Sequence, residues 1–282
     1  MIFSSIFGNR VKKPIWEYKT DGVLWRITFS SNGFIVGEDR DVDKKVVTYF
    51  CLDSKNGNVL WRDLTFCDPF WSAVKGIIAN KLFIHGFRKP DMPEQHKISV
   101  VDLKSGKELW FRNDISVLSA NQEFICAFRD FFEKRVYYLI DINNGELVQE
   151  FNQLPETYLA EKDFTGRTNF IYPQPAEINI DLKNKLSKFI PFDKIKGSIE
   201  MTKWNNFIFF SFHTQQIKTI EGSLNFLHQF SIIDELKNKL IFKTILNKET
   251  PNIVPDSFFI DGNNLYILKE KSTISVFDIS KL

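Results

Sequence analysis

Three arginines hold the same place relative to three turn signals. Arg40 lies eight residues past Asn32, Arg88 eight past Asn80, and Arg129 eight past Asn121. The same count from Asn205 reaches His213, and Lys269 and Lys271 fall near it in the last part of the chain. A guanidinium presents a planar fork of donors that matches a carboxylate or a phosphate. A row of them at one height would suit a small anion, and neighbouring acids (Asp39, Asp41, Asp130, Glu133) could equally occupy them. Trp71 and Phe70, in the aromatic stretch RDLTFCDPFW at 62–71, are the side chains expected to reach a surface ligand.

Other constellations are less complete. Asp39, Asp41 and Asp43 open like a calcium loop, but Lys44 stands where its glycine belongs and Phe50 where its final glutamate belongs. His85, His96, His213 and His228 lack metal-ligand spacing. Cys67 precedes Asp68-Pro69 with no histidine near it in sequence and reads as a packed thiol. Ser72 and Lys75 form a Ser-x-x-Lys pair without the rest of that catalytic set. No glycine-rich phosphate loop occurs, and nothing calls for a metal or another cofactor.

The elements that must position these residues follow from a repeat. LDSKNGNVLW, VDLKSGKELW and IDINNGELVQ align on Asp53, Asp102 and Asp141; IDLKNKLSKF, IDELKNKLIF and a shortened FDISKL extend the series to Asp181, Asp234 and Asp278. An aspartate side chain accepts backbone N–H groups two residues on and so starts a turn. Gly57, Gly106 and Gly145, each four residues later, can supply the positive φ that closes it. A second ladder of turn signals lies about 20 residues before most of these aspartates: Asn32-Gly33, Asn80-Lys81, Asn121-Gln122, Gly166-Arg167, Asn205-Asn206 and Asp261-Gly262. Two hairpins per 40–50-residue repeat make four strands, the spacing of a β-propeller blade. The expected fold is all-β, a propeller of six four-stranded blades with five or seven as alternatives and no room for helices. Residues 1–13 are a tail and 14–282 one domain. The strand Pro14–Lys19 should pair with the strand around Ser275–Ile279, closing the ring and removing its open edge.

Composition agrees. With 43% apolar, 26% charged and 15% aromatic residues, 29 of them Phe, the chain reads as a globular β-rich protein rather than a disordered or fibrous one. A net charge of +2 gives no footprint for nucleic acid or an anionic membrane. Cys51, Cys67 and Cys126 are odd in number and widely spaced, which argues against a disulfide framework. MIFSSIFGNRVKK places its apolar residues before its basic ones, unlike a signal peptide. A soluble cytoplasmic protein is expected.

Asp-x-x-x-Gly-x-x-Leu-Trp at Asp53–Trp61 and Asp102–Trp110 resembles the repeat of the quinoprotein-like, pyrroloquinoline-quinone-type propellers, most strongly over residues 14–150. That resemblance implies the fold and a packing role for the outer tryptophans, Trp61, Trp110 and Trp16. It does not imply the quinone, because the enzymes of that class are longer and carry adjacent cysteines. The resulting expectation is a non-catalytic scaffold that binds a protein, peptide or ligand through its top-face loops (38–45, 86–97, 128–135 and 211–228). The alternatives are a lactonase-like metal-dependent hydrolase or lyase working in the central channel, and a small-anion binder using Arg40, Arg88 and Arg129.

Overall fold

The computed structural model describes residues 13–89, 92–154, 169–217 and 224–282. The chain forms two compact units, Thr20–Thr168 and a second made of Met1–Lys19 with Asn169–Leu282. The first strand, β1 (Trp16–Lys19), belongs to the latter.

Thr20–Thr168 carries three consecutive four-stranded sheets, each an antiparallel meander in chain order. The first is β2 (Val23–Phe29), β3 (Phe34–Asp41), β4 (Val46–Asp53) and β5 (Val59–Leu64). The second is β6 (Ser72–Ile78), β7 (Lys81–Lys89), β8 (Met92–Asp102) and β9 (Glu108–Arg112). The third is β10 (Ser116–Ala120), β11 (Phe124–Asp130), β12 (Arg135–Asp141) and β13 (Leu147–Phe151).

Local chemistry explains the turns. Asp53, Asp102 and Asp141 accept the backbone N–H of Lys55, Ser105 and Asn143 at 2.8, 2.8 and 2.7 Å. The turns at Asp102 and Asp141 then dock on the preceding sheet. Trp61 Nε1 donates to the Leu103 carbonyl at 2.8 Å, and Trp110 Nε1 to that of Ile142 at 3.0 Å. Gly106 (φ +70°) and Gly145 (φ +74°) lie flat against these indoles; a Cβ would sit 2.8 Å from Trp61 and 2.7 Å from Trp110. The glycines therefore serve two needs, a left-handed backbone and a surface flat enough for the tryptophan.

In the other unit, β14 (Phe170–Ile171), β15 (Gln174–Pro175) and the helix α1 (Ile180–Leu186) precede β16 (Ile195–Trp204), β17 (Phe207–Ile217), β18 (Leu224–Asp234) and β19 (Lys239–Thr250). Then come β20 (Phe258–Asp261), β21 (Asn264–Lys269) and β22 (Thr273–Asp278). Two five-stranded sheets result, ordered β15-β16-β17-β18-β19 and β1-β22-β21-β20-β14. As expected, the N-terminal strand pairs with the C-terminal one, Trp16 opposite Val276 and Lys19 opposite Thr273.

The repeat around Asp181 is a correction. IDLKNKL forms α1, not a hairpin. Asn179 caps it, accepting Leu182 N–H at 2.9 Å. Leu182 and Leu186 then face the same side, where they pack with Ile190, Ile199 and Phe210. Lys185 stands where the first three copies have glycine; Asn238 takes that place in the fifth copy with a φ of +48°, whereas Lys185 has no positive φ. The paired Gly166-Arg167 turn lies outside the described residues. Five antiparallel sheets are present among the described residues, where six hairpin pairs were expected.

Candidate functional site

In each sheet of Thr20–Thr168, the first strand begins and the second ends at one end, here called the upper end. Arg40, Arg88 and Arg129 sit on the second strands β3, β7 and β11, at the height the repeat predicted. Their surroundings differ. Arg40 is buried, 2.8 Å from Glu38 Oε2, and donates to the Phe70 and Ser72 carbonyls at 3.0 and 2.6 Å. Its guanidinium also lies 5.4 Å from the Trp25 ring centre and 5.6 Å from that of Phe70. Arg88 is exposed and pairs with Glu94 at 3.0 Å. Arg129, also exposed, lies 3.7 Å from Asp114 and 5.0 Å from the Phe131 ring centre. Carboxylates occupy all three, but they are not the nearest acids in sequence.

Around Arg40 the first two sheets are sewn together. Strand β6 is an edge strand, and a bulge between Val74 and Gly76 breaks its pairing with β7. The Val74 N–H donates to Glu38 Oε1 at 2.8 Å, and the Val74 carbonyl accepts from Arg26 Nη1 at 2.9 Å. Glu38 thus spends one oxygen on the next sheet and the other on Arg40. Tyr49 donates to Ser72 Oγ at 2.9 Å, and Ser72 Oγ donates to the Asp68 carbonyl at 2.9 Å.

A bulge recurs in all three first strands, between Leu24 and Arg26, Val74 and Gly76, and Val117 and Ser119. The inserted residues are Trp25, Lys75 and Leu118. Bulges re-aim side chains; Trp25 is 61% exposed and Leu118 37%. Lys75 Nζ donates to Gln95 Oε1 at 2.8 Å, and burial lowers its pKa to about 8. Ser72 and Lys75 therefore turn to different partners and make no catalytic dyad. His85, beside this cluster, is buried. Burial first, then the charges of Lys75, Arg26 and Arg40, push its pKa down to about 4. Its Nδ1 has no hydrogen-bond partner.

The remaining sequence candidates are accounted for locally. Trp71 is 37% exposed, its ring edge-on to Phe70 at 5.0 Å. Asp39 accepts the N–H groups of Asp21 and Gly22 at 3.0 and 2.9 Å, and Asp41 pairs with Lys44 at 2.7 Å. The Cys67 sulfur lies 3.0 Å from the Ile84 carbonyl and 3.2 Å from Ser99 Oγ; burial raises its pKa to about 11. Burial likewise lifts Cys51 to about 12 and raises Cys126. These thiols are poor nucleophiles.

His213 lies on β17, in the other unit. Its buried ring stacks on that of His228 with centres 3.8 Å apart and planes at 16°. His213 Nε2 accepts the Val254 N–H at 3.1 Å, and His228 Nδ1 lies 3.1 Å from Asn247 Nδ2. Burial holds both rings well below the ordinary histidine pKa, with the proximity of His213 adding to the effect on His228. Among the described residues no three His, Cys, Asp or Glu side chains are placed to hold a metal ion. No helix among them is long and apolar enough to cross a membrane.

Residues 30–110 match a family described as "Domain of unknown function (DUF4905)". The stretch covers less than half of the chain; it takes in all of β3 to β8 and ends on Trp110. Comparison with curated proteins finds no match. Structural similarity is slight. The β-propeller domain of Cps50 (Swd1) from Myceliophteria thermophila is 16% identical with a TM-score of 0.33, over 92% of this chain and 66% of that one. This chain therefore spans just under two thirds of that domain. The β-propeller domain of the Trilobed protease from Pyrococcus furiosus is 11% identical at 0.31, over 90% and 83%. A duf4221 family member from Bacteroides vulgatus is 8% identical at 0.31, over 97% and 96%.

Sequence reasoning passed over Glu38 and Arg26, and met Lys75, His85 and His228 only in unproductive patterns. One signal was available for Glu38. It stands two residues before Arg40 on a strand, hence on the same face. The bulge residues carry no such mark, since their distances to the next turn differ from sheet to sheet.

Proposed function

We propose that the chain is a non-catalytic β-propeller-type scaffold that binds a protein or extended peptide at the upper end of the sheets in Thr20–Thr168. The sequential four-stranded meanders support the propeller reading. The described sheets favour five blades over six, and the β1–β22 pairing is the closure such a ring uses. The observation that carries the binding reading is the aromatic residues left in solvent at the upper end. Phe131 (44% exposed) and Phe132 (102%) stand at the β11–β12 turn, with Trp25 on β2 and Trp71 just before β6. The upper ends adjoin, since Arg40 reaches Phe70 and Ser72, and Ser116 donates its hydroxyl to the Gln95 carbonyl. Aromatic and arginine side chains together are the usual anchors of protein interfaces.

Affinity purification with the intact chain and with a Phe131→Ser/Phe132→Ser/Trp25→Ala variant tests this. The variant should keep its melting temperature and lose a partner that the intact chain retains. Equal retention by both chains would sink the aromatic surface as the binding site.

A further inference from the structure

Beyond the scaffold reading, and in the other unit, the connector from β15 to β16 folds around a cavity of about 510 Å³. This is the stretch where the repeat gives way to α1. Small-molecule sites commonly have such a volume, roughly 300–1,000 Å³. Three polar side chains line the cavity, Lys183, Ser187 and Asp193, with Ile178, Ile190 and Phe192 among its apolar walls. Lys183 and Ser187 lie four residues apart, one turn along α1 and its C-cap, so they share a face. Asp193 comes from the single 3₁₀ turn Phe192–Lys194. The apolar walls are held in place from behind: Ile190 is buried, and Phe192 packs on the cluster that holds Leu186, Ile199 and Phe210. Ile178 is left 48% exposed.

The charges of this cavity are opposite and unpaired. Lys183 and Asp193 make no ion pair with each other or with any other described residue, whereas Lys185 on the same helix pairs with Glu235. The Ser187 hydroxyl donates to the Asn184 carbonyl at 3.1 Å, which leaves its oxygen as an acceptor. A ligand that answers all three groups brings a carboxylate to Lys183 and an ammonium to Asp193 and Ser187. A purely anionic ligand would be opposed by Asp193, and a purely cationic one by Lys183. The apolar walls add the requirement of an apolar body.

We propose that this cavity binds an apolar zwitterion of the amino-acid and short-peptide class. Its carboxylate sits on Lys183, its ammonium on Asp193 and Ser187, and its side chain against Ile178, Ile190 and Phe192. The site shares no residue with the aromatic surface of Thr20–Thr168, so the two stand or fall separately.

The test is an NMR titration of the isoleucine methyl groups in the full chain with leucine and, separately, leucyl-leucine. Either ligand should move the Ile178 and Ile190 resonances saturably. A response to leucine alone assigns the free amino acid, and a response to leucyl-leucine assigns a peptide with both ends free. Blocking one end, as N-acetyl-leucyl-leucine or leucyl-leucine amide, should weaken binding by about tenfold or more. Lys183→Met and Asp193→Asn, both changes of exposed residues, should do the same, while Lys185→Met should leave binding unchanged. Unmoved Ile178 and Ile190 resonances with both ligands overturn the proposal. So does equal binding of the doubly blocked N-acetyl-leucyl-leucine amide, which would reduce the cavity to a non-selective apolar contact. That comparison uses the wild-type chain and stands whether or not the variants fold.

Discussion

Arg40 on β3 and His213 on β17 each lie eight residues past a turn signal, in different units, and both reach forward to the connector before the next sheet. Arg40 does so as a donor to the Phe70 and Ser72 carbonyls, its charge balanced by Glu38. His213 does so as a neutral acceptor of the Val254 N–H, its ring covered by His228. The repeat thus conserves a mechanical task, holding the next connector, while the chemistry that performs it changes from an ion pair to an uncharged imidazole. A registered ladder of polar residues in a repeat protein is evidence for this kind of link before it is evidence for a ligand.

The largest expected effect breaks the ionic version. Glu38→Gln leaves the Arg40 charge buried without its partner and should cost about 3–5 kcal/mol, read as a lower midpoint in urea unfolding. A loss below about 1 kcal/mol would mean that the link does not depend on the ion pair.

Acid separates the two versions next. The folded chain holds the His213 ring neutral, with its pKa lowered from 6.5 to about 4 by burial. Between those values the unfolded chain binds more protons, so stability rises with pH there. The contribution is present in full above pH 6.5 and is lost as pH falls towards 4, amounting to roughly 3 kcal/mol at 1.36 kcal/mol per unit. His213→Phe should make this part of the stability–pH curve shallower; an unchanged slope would assign the acid sensitivity to the other depressed rings, His228 and His85.

A smaller effect sharpens the contrast between sheets. Trp110→Phe removes the indole bond to the Ile142 carbonyl and part of the packing on Gly145, and should cost about 1–2 kcal/mol in the same unfolding assay. The smallest belongs to Arg88→Ala. Its pair with Glu94 leaves the arginine exposed and the glutamate only partly covered, so the change should stay within about 0.5 kcal/mol. A larger loss would mean that Arg88 is a structural link like Arg40.

What could be read beforehand follows the range of the interactions. Turns at Asp53, Asp102 and Asp141 were legible because the aspartate and its N–H partners lie within three residues of each other. The docking of Trp61 on Leu103, 42 residues away, was legible only through the repeat itself. The helix at Ile180–Leu186 imitates the repeat's apolar-Asp opening, and the difference lies in Asn179 ahead of it and the missing glycine behind. The height of the arginines was legible, but their partners were not. Phe70, Ser72 and Val74 are brought to Arg40, Glu38 and Arg26 by sheet packing, and the bulge that frees the Val74 peptide is a property of pairing register.

The pairing of Trp16 with Val276 also has a consequence in time. Trp16, on the outer strand of that sheet, is made 260 residues before its partner Val276. At about 5–20 residues per second, β1 waits some tens of seconds with both its edges unsatisfied. The three sheets of Thr20–Thr168 have by then received all their strands. Synthesis therefore sets an order of assembly, and a nascent-chain pulldown should find β1 accessible to a strand-mimicking peptide until residue 278 has emerged.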